Sequence, residues 1–445
     1  MKIIMKLNIR LIQNILLVLC VSLGLNFLPN IFFPKYDVAP MAFIVFLLIL
    51  YVLLRGPELI VNTTYALWCE NTRFRRMFGP IAFLFIFEII RYPINANYLI
   101  YVYILLPILV LLFLLFIVDI YLNYCNGDIH LFLKNYLKSY FLLCVFIVSI
   151  AGIVFFLLKI GFVDIHSWTN VGIYGSDFRI RENYSVDSFV SNPYYLTVIF
   201  PNFIKDSSFF GEFGTFTGWS FEPHVACVFI TPGFLMTNYF LKNRFRKLIV
   251  IISFILFYIL SLSITAIFSL FIVLFVYLVV PKDEFLLKRF ITFVFASFFF
   301  IFLIIFVSNY FKDAVLYGLN KIQFENNNSS AYGMVWSYIL KPRSFFGNGF
   351  LIAPYTGDVS FAGGQINNLL RTGDVGLIPF VNFLFIYGIL IFYMIKELFS
   401  RNDYLFIGLI MVYLFVHSLK MPFHAFHYLL IFLFIFILSI VPKKV

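Results

Sequence analysis

Two groups of residues have types and spacings that could do chemistry. The first is the run Gly211-Glu-Phe-Gly214-Thr-Phe-Thr-Gly218-Trp-Ser-Phe-Glu222-Pro223-His224. Pro suits the first turn of a helix, because its missing N–H is not needed there. The run therefore predicts a helix entered at Glu222, with the carboxylate at the N-cap. A carboxylate in that position accepts helix N–H bonds and meets the positive end of the helix dipole. It is either a plain cap or a base that contacts a substrate hydroxyl. His224 is the second candidate base, and its other reading is a structural histidine at an interface. The second group is arginine: Arg179, Arg181, Arg343 and Arg371. A guanidinium offers paired donors in a plane and stays charged, which suits phosphate. In Arg179-Ile-Arg181 both side chains fall on one side if the chain is extended. Solvated loop charge, or a hold on anionic head groups, is the other reading of each.

Two further sets carry less. Glu88 and Arg91 are spaced to pair on one helix face. His417, Lys420, His424 and His427 gather near the last turn, without the carboxylate a metal site usually adds, so no metal is expected. No phosphate loop of the Walker type is present, and no cofactor is expected.

These residues need elements to position them, and composition says which kind. Of 445 residues, 62% are hydrophobic and 12% charged, against about 25% charged in an average soluble protein. Mean hydropathy is +0.98. That excludes a soluble enzyme, a secreted disulfide scaffold and a disordered chain. A spanning helix takes about 20 apolar residues. The apolar runs predict about twelve helices, near 11–32, 39–54, 77–92, 98–121, 140–163, 222–241, 248–264, 265–280, 290–309, 376–396, 404–419 and 423–441. The expectation is an all-α polytopic membrane protein forming one multi-span domain over residues 1–445. The pair 248–264 and 265–280 requires a tight turn over Ser261–Thr265 and reads as a hairpin.

Net charge is +11. In a soluble protein that would favour nucleic acid; here the cations are placed against the membrane, and no nucleic-acid partner is expected. With both termini on the cytoplasmic side, every inner loop and both termini carry at least two Lys or Arg, as the positive-inside rule asks. Lys2, Lys6 and Arg10 ahead of the first apolar run read as the flank of an uncleaved span. Two outer loops are long, about 164–221 and 310–375, and rich in Trp, Tyr, Phe, Gly and Asn. Loops of that length are usually functional or disordered, and the aromatics can stack on sugar rings. The five cysteines fall in apolar runs or inner loops, so no disulfide is expected.

With those segments in view, the chain resembles the Wzy-type polymerases of bacterial O-antigen, capsule and exopolysaccharide. The shared segments are Gly218-Trp-Ser-Phe-Glu222-Pro223-His224, with His where the family often has Ser, then Phe346-Gly347-Asn348-Gly349-Phe350, then Asn367-Asn368-Leu-Leu-Arg371-Thr-Gly373-Asp-Val-Gly376. The related O-antigen ligases carry an essential His near the last segment, and this chain has none there. The resemblance implies a glycosyltransferase-C-like helical fold in the bacterial inner membrane. It also implies metal-independent glycosyl transfer from an undecaprenyl-diphosphate-linked chain to another lipid-linked repeat unit. Glu222, with His224 second, would act on the acceptor hydroxyl. Arg179, Arg181, Arg343 and Arg371 would hold the diphosphate. A flippase and a chain-length regulator are the implied partners. A lipid-linked oligosaccharide flippase is the runner-up for the chain itself, although its long loops and outer charge favour an outward-facing enzyme.

Overall fold

The computed structural model describes residues 2–22, 38–91, 100–159, 189–190, 202–204, 215–218, 223–261, 263–280, 377–399, 404–418 and 429–442. The helices among them are α1 (Lys2–Val21), α2 (Val38–Arg55), α3 (Pro57–Glu70), α4 (Thr72–Arg91), α5 (Ile100–Asp119), α6 (Ile129–Phe132), α7 (Lys138–Lys159), α8 (Pro223–Phe240), α9 (Arg244–Ser261), α10 (Ile264–Val279), α11 (Leu377–Leu398), α12 (Leu405–Ser418) and α13 (Leu429–Ile440). The π-helical turns Ile120–Tyr124 and Leu133–Leu137 extend α5 and join α6 to α7. The expectation of an all-α chain therefore holds for most of what is described. The exception lies in the first of the two long loops expected to be outer, where Phe189–Val190, Asn202–Ile204 and Thr215–Gly218 form a three-stranded antiparallel sheet, β1-β2-β3.

Among the described residues, three helical runs are long and apolar enough to cross a membrane, Pro107–Tyr124, Ile129–Ile150 and Leu377–Leu398, and α2 with α3 makes a fourth if that bent pair is one span. The outward faces agree with a lipid surround. Leu54, Ile90 and Phe245 are among many large apolar side chains left exposed, and a water-soluble surface seldom carries so many together.

The described elements fall into two units. In the first, α13 is the centre. Every residue from Leu429 to Ile440 is buried, and α1, α4, α5, α11 and α12 pack around it. A helix apolar on all sides needs this kind of enclosure. Phe436 anchors it, with ring contacts to Phe74, Tyr121 and Phe132 at 5.8–6.1 Å. In the second unit α7, α8 and α9 pack on one another, and β3 lies against α8 and α9.

Some boundaries depart from expectation. Residues 55–76 read as an inner loop, yet Pro57–Glu70 is helical, turned 95° from α2. Gly56, at φ +92°, makes that bend in a conformation that strains other residues, and Pro57 opens the new helix. The helical path expected from residue 140 begins at Ile129, where the Asp128 side chain accepts the His130 N–H as a cap. The break between α9 and α10 falls inside the expected Ser261–Thr265 turn, and Ser263 caps α10 by accepting the Ala266 N–H at 3.3 Å. The two helices are nevertheless not packed along each other as a hairpin would be: α9 rests on α7 and α8, and α10 on α8. The expected helix at 290–309 lies outside the described residues.

Candidate functional site

The Glu-Pro segment is the junction of two described elements. Strand β3 ends at Gly218, and α8 starts at Pro223. Pro at the first helical position is the feature the motif called for. The backbone of His224 lies in the first turn of α8. Glu222, immediately before the helix, lies outside the described residues, as do Arg179, Arg181, Arg343 and Arg371 and the segments 346–350 and 367–376. The structure therefore places the motif's helix and the sheet leading to it, and not the five charged residues around them.

What it does show is how firmly α8 is held. Tyr140 on α7 donates its hydroxyl to the Phe229 carbonyl, and its ring meets Phe229 edge-on at 5.2 Å. Pro232 lies inside α8 and brings no N–H to the ladder at this turn, so the Tyr140 hydroxyl supplies a donor beside the gap. Thr231 donates to the Cys227 carbonyl at 2.6 Å or shares its hydrogen with the Tyr258 hydroxyl, also at 2.6 Å. Cys227 Sγ and Ser261 Oγ are 3.5 Å apart. These groups tie α8 to α7 and α9 through buried polar contacts, which gain strength where water is excluded.

Gly233 permits the closest approach. A Cβ there would sit 2.5 Å from Cys144 Cβ and 2.9 Å from its Sγ. Gly233→Ala is expected to cost about 2 kcal/mol, in the range for overpacking, by forcing α7 and α8 apart. The check is the thermal midpoint of the purified full chain, with Cys144→Gly in the same chain recovering part of the loss. A midpoint unchanged by Gly233→Ala would show that the seam is loose.

Two polar clusters that the residue pattern did not single out lie in the first unit. In one, Asp119, fully buried at the end of α5, accepts from Arg55 Nε and Nη2, both at 3.2 Å, from Asn123 Nδ2 at 2.7 Å and from the Tyr51 hydroxyl. Gln13 then donates to Tyr51 at 2.9 Å and accepts from Tyr136 at 2.6 Å. Arg55 also lies over the Tyr124 ring, 4.8 Å from its centre. In the other, Arg73 pairs with Glu397 at 3.3 Å, donates to the Val441 carbonyl at 3.3 Å and stacks on Tyr393 at 4.9 Å. Asn71 donates to the Ser439 carbonyl at 3.3 Å, so both residues take up carbonyls at the end of α13.

These contacts bear on the alternation of loops. Arg10 bonds Asn135, Arg55 bonds Asp119, Arg73 bonds Glu397 and Val441, and His130 meets the Tyr404 hydroxyl at 2.8 Å. All of these residues belong to segments that the charge pattern puts on one side, and they do meet at one end of the unit. Chemically the two clusters are ion pairs that bind helix ends together, and Arg73 Nε is left buried without a hydrogen-bond partner.

The remaining expected groups are dispersed. His417 is buried in α12 beside Tyr413, with ring centres 5.6 Å apart, while Lys420, His424 and His427 lie outside the described residues. Glu88 and Arg91 both fall on α4, and their side chains are likewise outside the description. Among the described residues, no three His, Cys, Asp or Glu gather as a metal site would require. No family model, curated protein or solved structure matches the chain.

Proposed function

We propose that this chain is a membrane glycosyltransferase that polymerises lipid-linked oligosaccharide repeat units into a surface polysaccharide. The observation that supports it best is the start of α8 at Pro223 directly after β3. It puts the Glu-Pro motif at the mouth of a helix whose packing holds it still. In this reading the Glu222 carboxylate, or the His224 imidazole, takes the proton of the acceptor hydroxyl. The hydroxyl oxygen bonds to the anomeric carbon of the donor chain, and the bond from that carbon to the diphosphate oxygen breaks. The electron pair leaves on undecaprenyl diphosphate, where Arg179, Arg181, Arg343 and Arg371 offset the charge that develops. The apolar helices keep the lipid carrier in the bilayer on what we take to be the outer face of the inner membrane, with both termini cytoplasmic. A flippase supplies the units, and a chain-length regulator sets the product.

The length profile of surface glycan in a strain lacking the chain tests this. A ladder collapsing to single repeats is the expected result. Loss of all surface glycan, with lipid-linked units retained inside, would favour a flippase, and an unchanged ladder would overturn both. Replacing Arg179, Arg181, Arg343 and Arg371 one at a time by Lys keeps charge and removes the planar fork. At least one replacement is expected to shorten the ladder, and full ladders from all four would remove the diphosphate clamp.

A further inference from the structure

We propose that α3 is a helix lying in the plane of the membrane, and that with Arg75 and Arg76 it holds anionic phospholipid head groups of the cytoplasmic leaflet. The 95° bend at Gly56 leaves two readings of the pair, one broken span or one span followed by a surface helix. The ends of α3 decide between them. Arg55, just ahead of α3, and Thr63, in its first half, join the Asp119 and Asn123 cluster at the end of α5. Just past its end Asn71 and Arg73 bind Ser439, Val441 and Glu397, at the ends of α13 and α11. A leg of a span would carry its two ends to opposite faces. Both ends of α3 instead meet segments gathered at one end of the unit, so its 14 residues, about 21 Å at 1.5 Å per residue, run across that end.

Its side chains sort as a surface helix requires. Ile60 and Leu67 are buried against the bundle. At 100° per residue, Val61, Tyr65 and Trp68 form a neighbouring flank, in which Trp68 packs toward Phe74 of α4 at 6.1 Å while Val61 and Tyr65 are exposed at 53% and 69%. Aromatic rings of this kind settle at the head-group level. Beyond that flank come Glu58, Asn62 and Cys69, all exposed, on the arc left for water. Arg75 and Arg76 are exposed in the first turn of the helix that follows, where a cation beside a cytoplasmic leaflet meets its negative surface potential. Of the two acidic residues, Glu70 lies around the helix from the apolar flank, and Glu58 stands at its edge beside Tyr65. This inference rests on membrane placement alone and not on the proposed glycan chemistry.

Two measurements on the full chain test it. Cys69 is the exposed cysteine of the five, Cys20, Cys125, Cys144 and Cys227 being buried. A charged, membrane-impermeant maleimide is expected to label it in inverted membrane vesicles and not in intact cells, with Cys69→Ser removing the signal. Val61→Cys in that Cys69→Ser chain, about 80° around the helix from Cys69, is expected to stay protected from the same reagent. Labelling from the outer side, or equal labelling at both positions, would overturn the in-plane helix. For the lipid, the full chain is placed in nanodiscs of phosphatidylcholine with a minority of phosphatidylglycerol, and the lipids enriched around it are counted. Arg75→Gln with Arg76→Gln is expected to weaken phosphatidylglycerol enrichment about 5-fold for each arginine, from the usual strength of a cation beside an anionic leaflet. Enrichment equal to that of the unaltered chain would overturn the head-group site.

Discussion

Glu222→Gln is expected to reduce polymer formation by about 100- to 10,000-fold, the range set by loss of a positioned general base, while the protein stays in the membrane at its normal level. The amide keeps the size of the carboxylate and can still accept a helix N–H bond, so a cap survives the change. What it loses is charge and the capacity to take a proton. Because α8 is tied to α7 and α9 through Tyr140, Thr231 and Cys227, a fault ahead of its first residue should not spread into the bundle. The readout is the glycan ladder beside an immunoblot of the membrane fraction. A normal ladder would reduce Glu222 to a cap and move attention to His224.

Glu397→Ala is expected to destabilise the chain by about 3–5 kcal/mol, the cost of breaking a buried ion pair from one side. Arg73 and Glu397 are 8% and 3% exposed, so the remaining guanidinium would keep its charge with little water to receive it. The Val441 carbonyl and the Tyr393 ring would be its remaining partners. Replacing Arg73 by Met and Glu397 by Leu together removes both charges, and such exchanges are often neutral or better. The double variant is therefore expected to recover most of the loss. Thermal unfolding of the purified chain can be followed with a thiol-reactive dye, since Cys20, Cys125, Cys144 and Cys227 are buried. A Glu397→Ala chain as stable as its parent would show that the pair carries little.

Local signals were the readable part of this fold. Pro223 announced the start of α8, because a fixed φ and a missing N–H act within a single turn. The apolar runs of α2, α11 and α12 stood out because their composition alone marks them. Helix α3 did not stand out. Its segment is short and mixes Glu, Asn and Thr with Val, Tyr and Trp, which reads as loop unless its bundle side is known. Asp119 and Arg55 lie 64 residues apart, and neither has a neighbour in the chain that names the other. The same holds for Arg73 and Glu397, which lie 324 residues apart. Of the expected site, the helix behind Glu222 and the strand before it are described. Glu222 and the four arginines belong to segments outside the description, so their roles rest on residue type and resemblance.

The hold of Arg73 and Asn71 on the end of α13 sets a timetable for assembly. Arg73 and Val441 are 368 residues apart, which at about 5–20 residues per second is roughly 20 to 70 s of synthesis. Throughout that interval α4 and α5 lack the helix they surround, and Arg73 lacks the Val441 carbonyl. The first unit cannot close until the last helix is threaded between its oldest neighbours. Early helices must wait without the apolar centre that they will enclose.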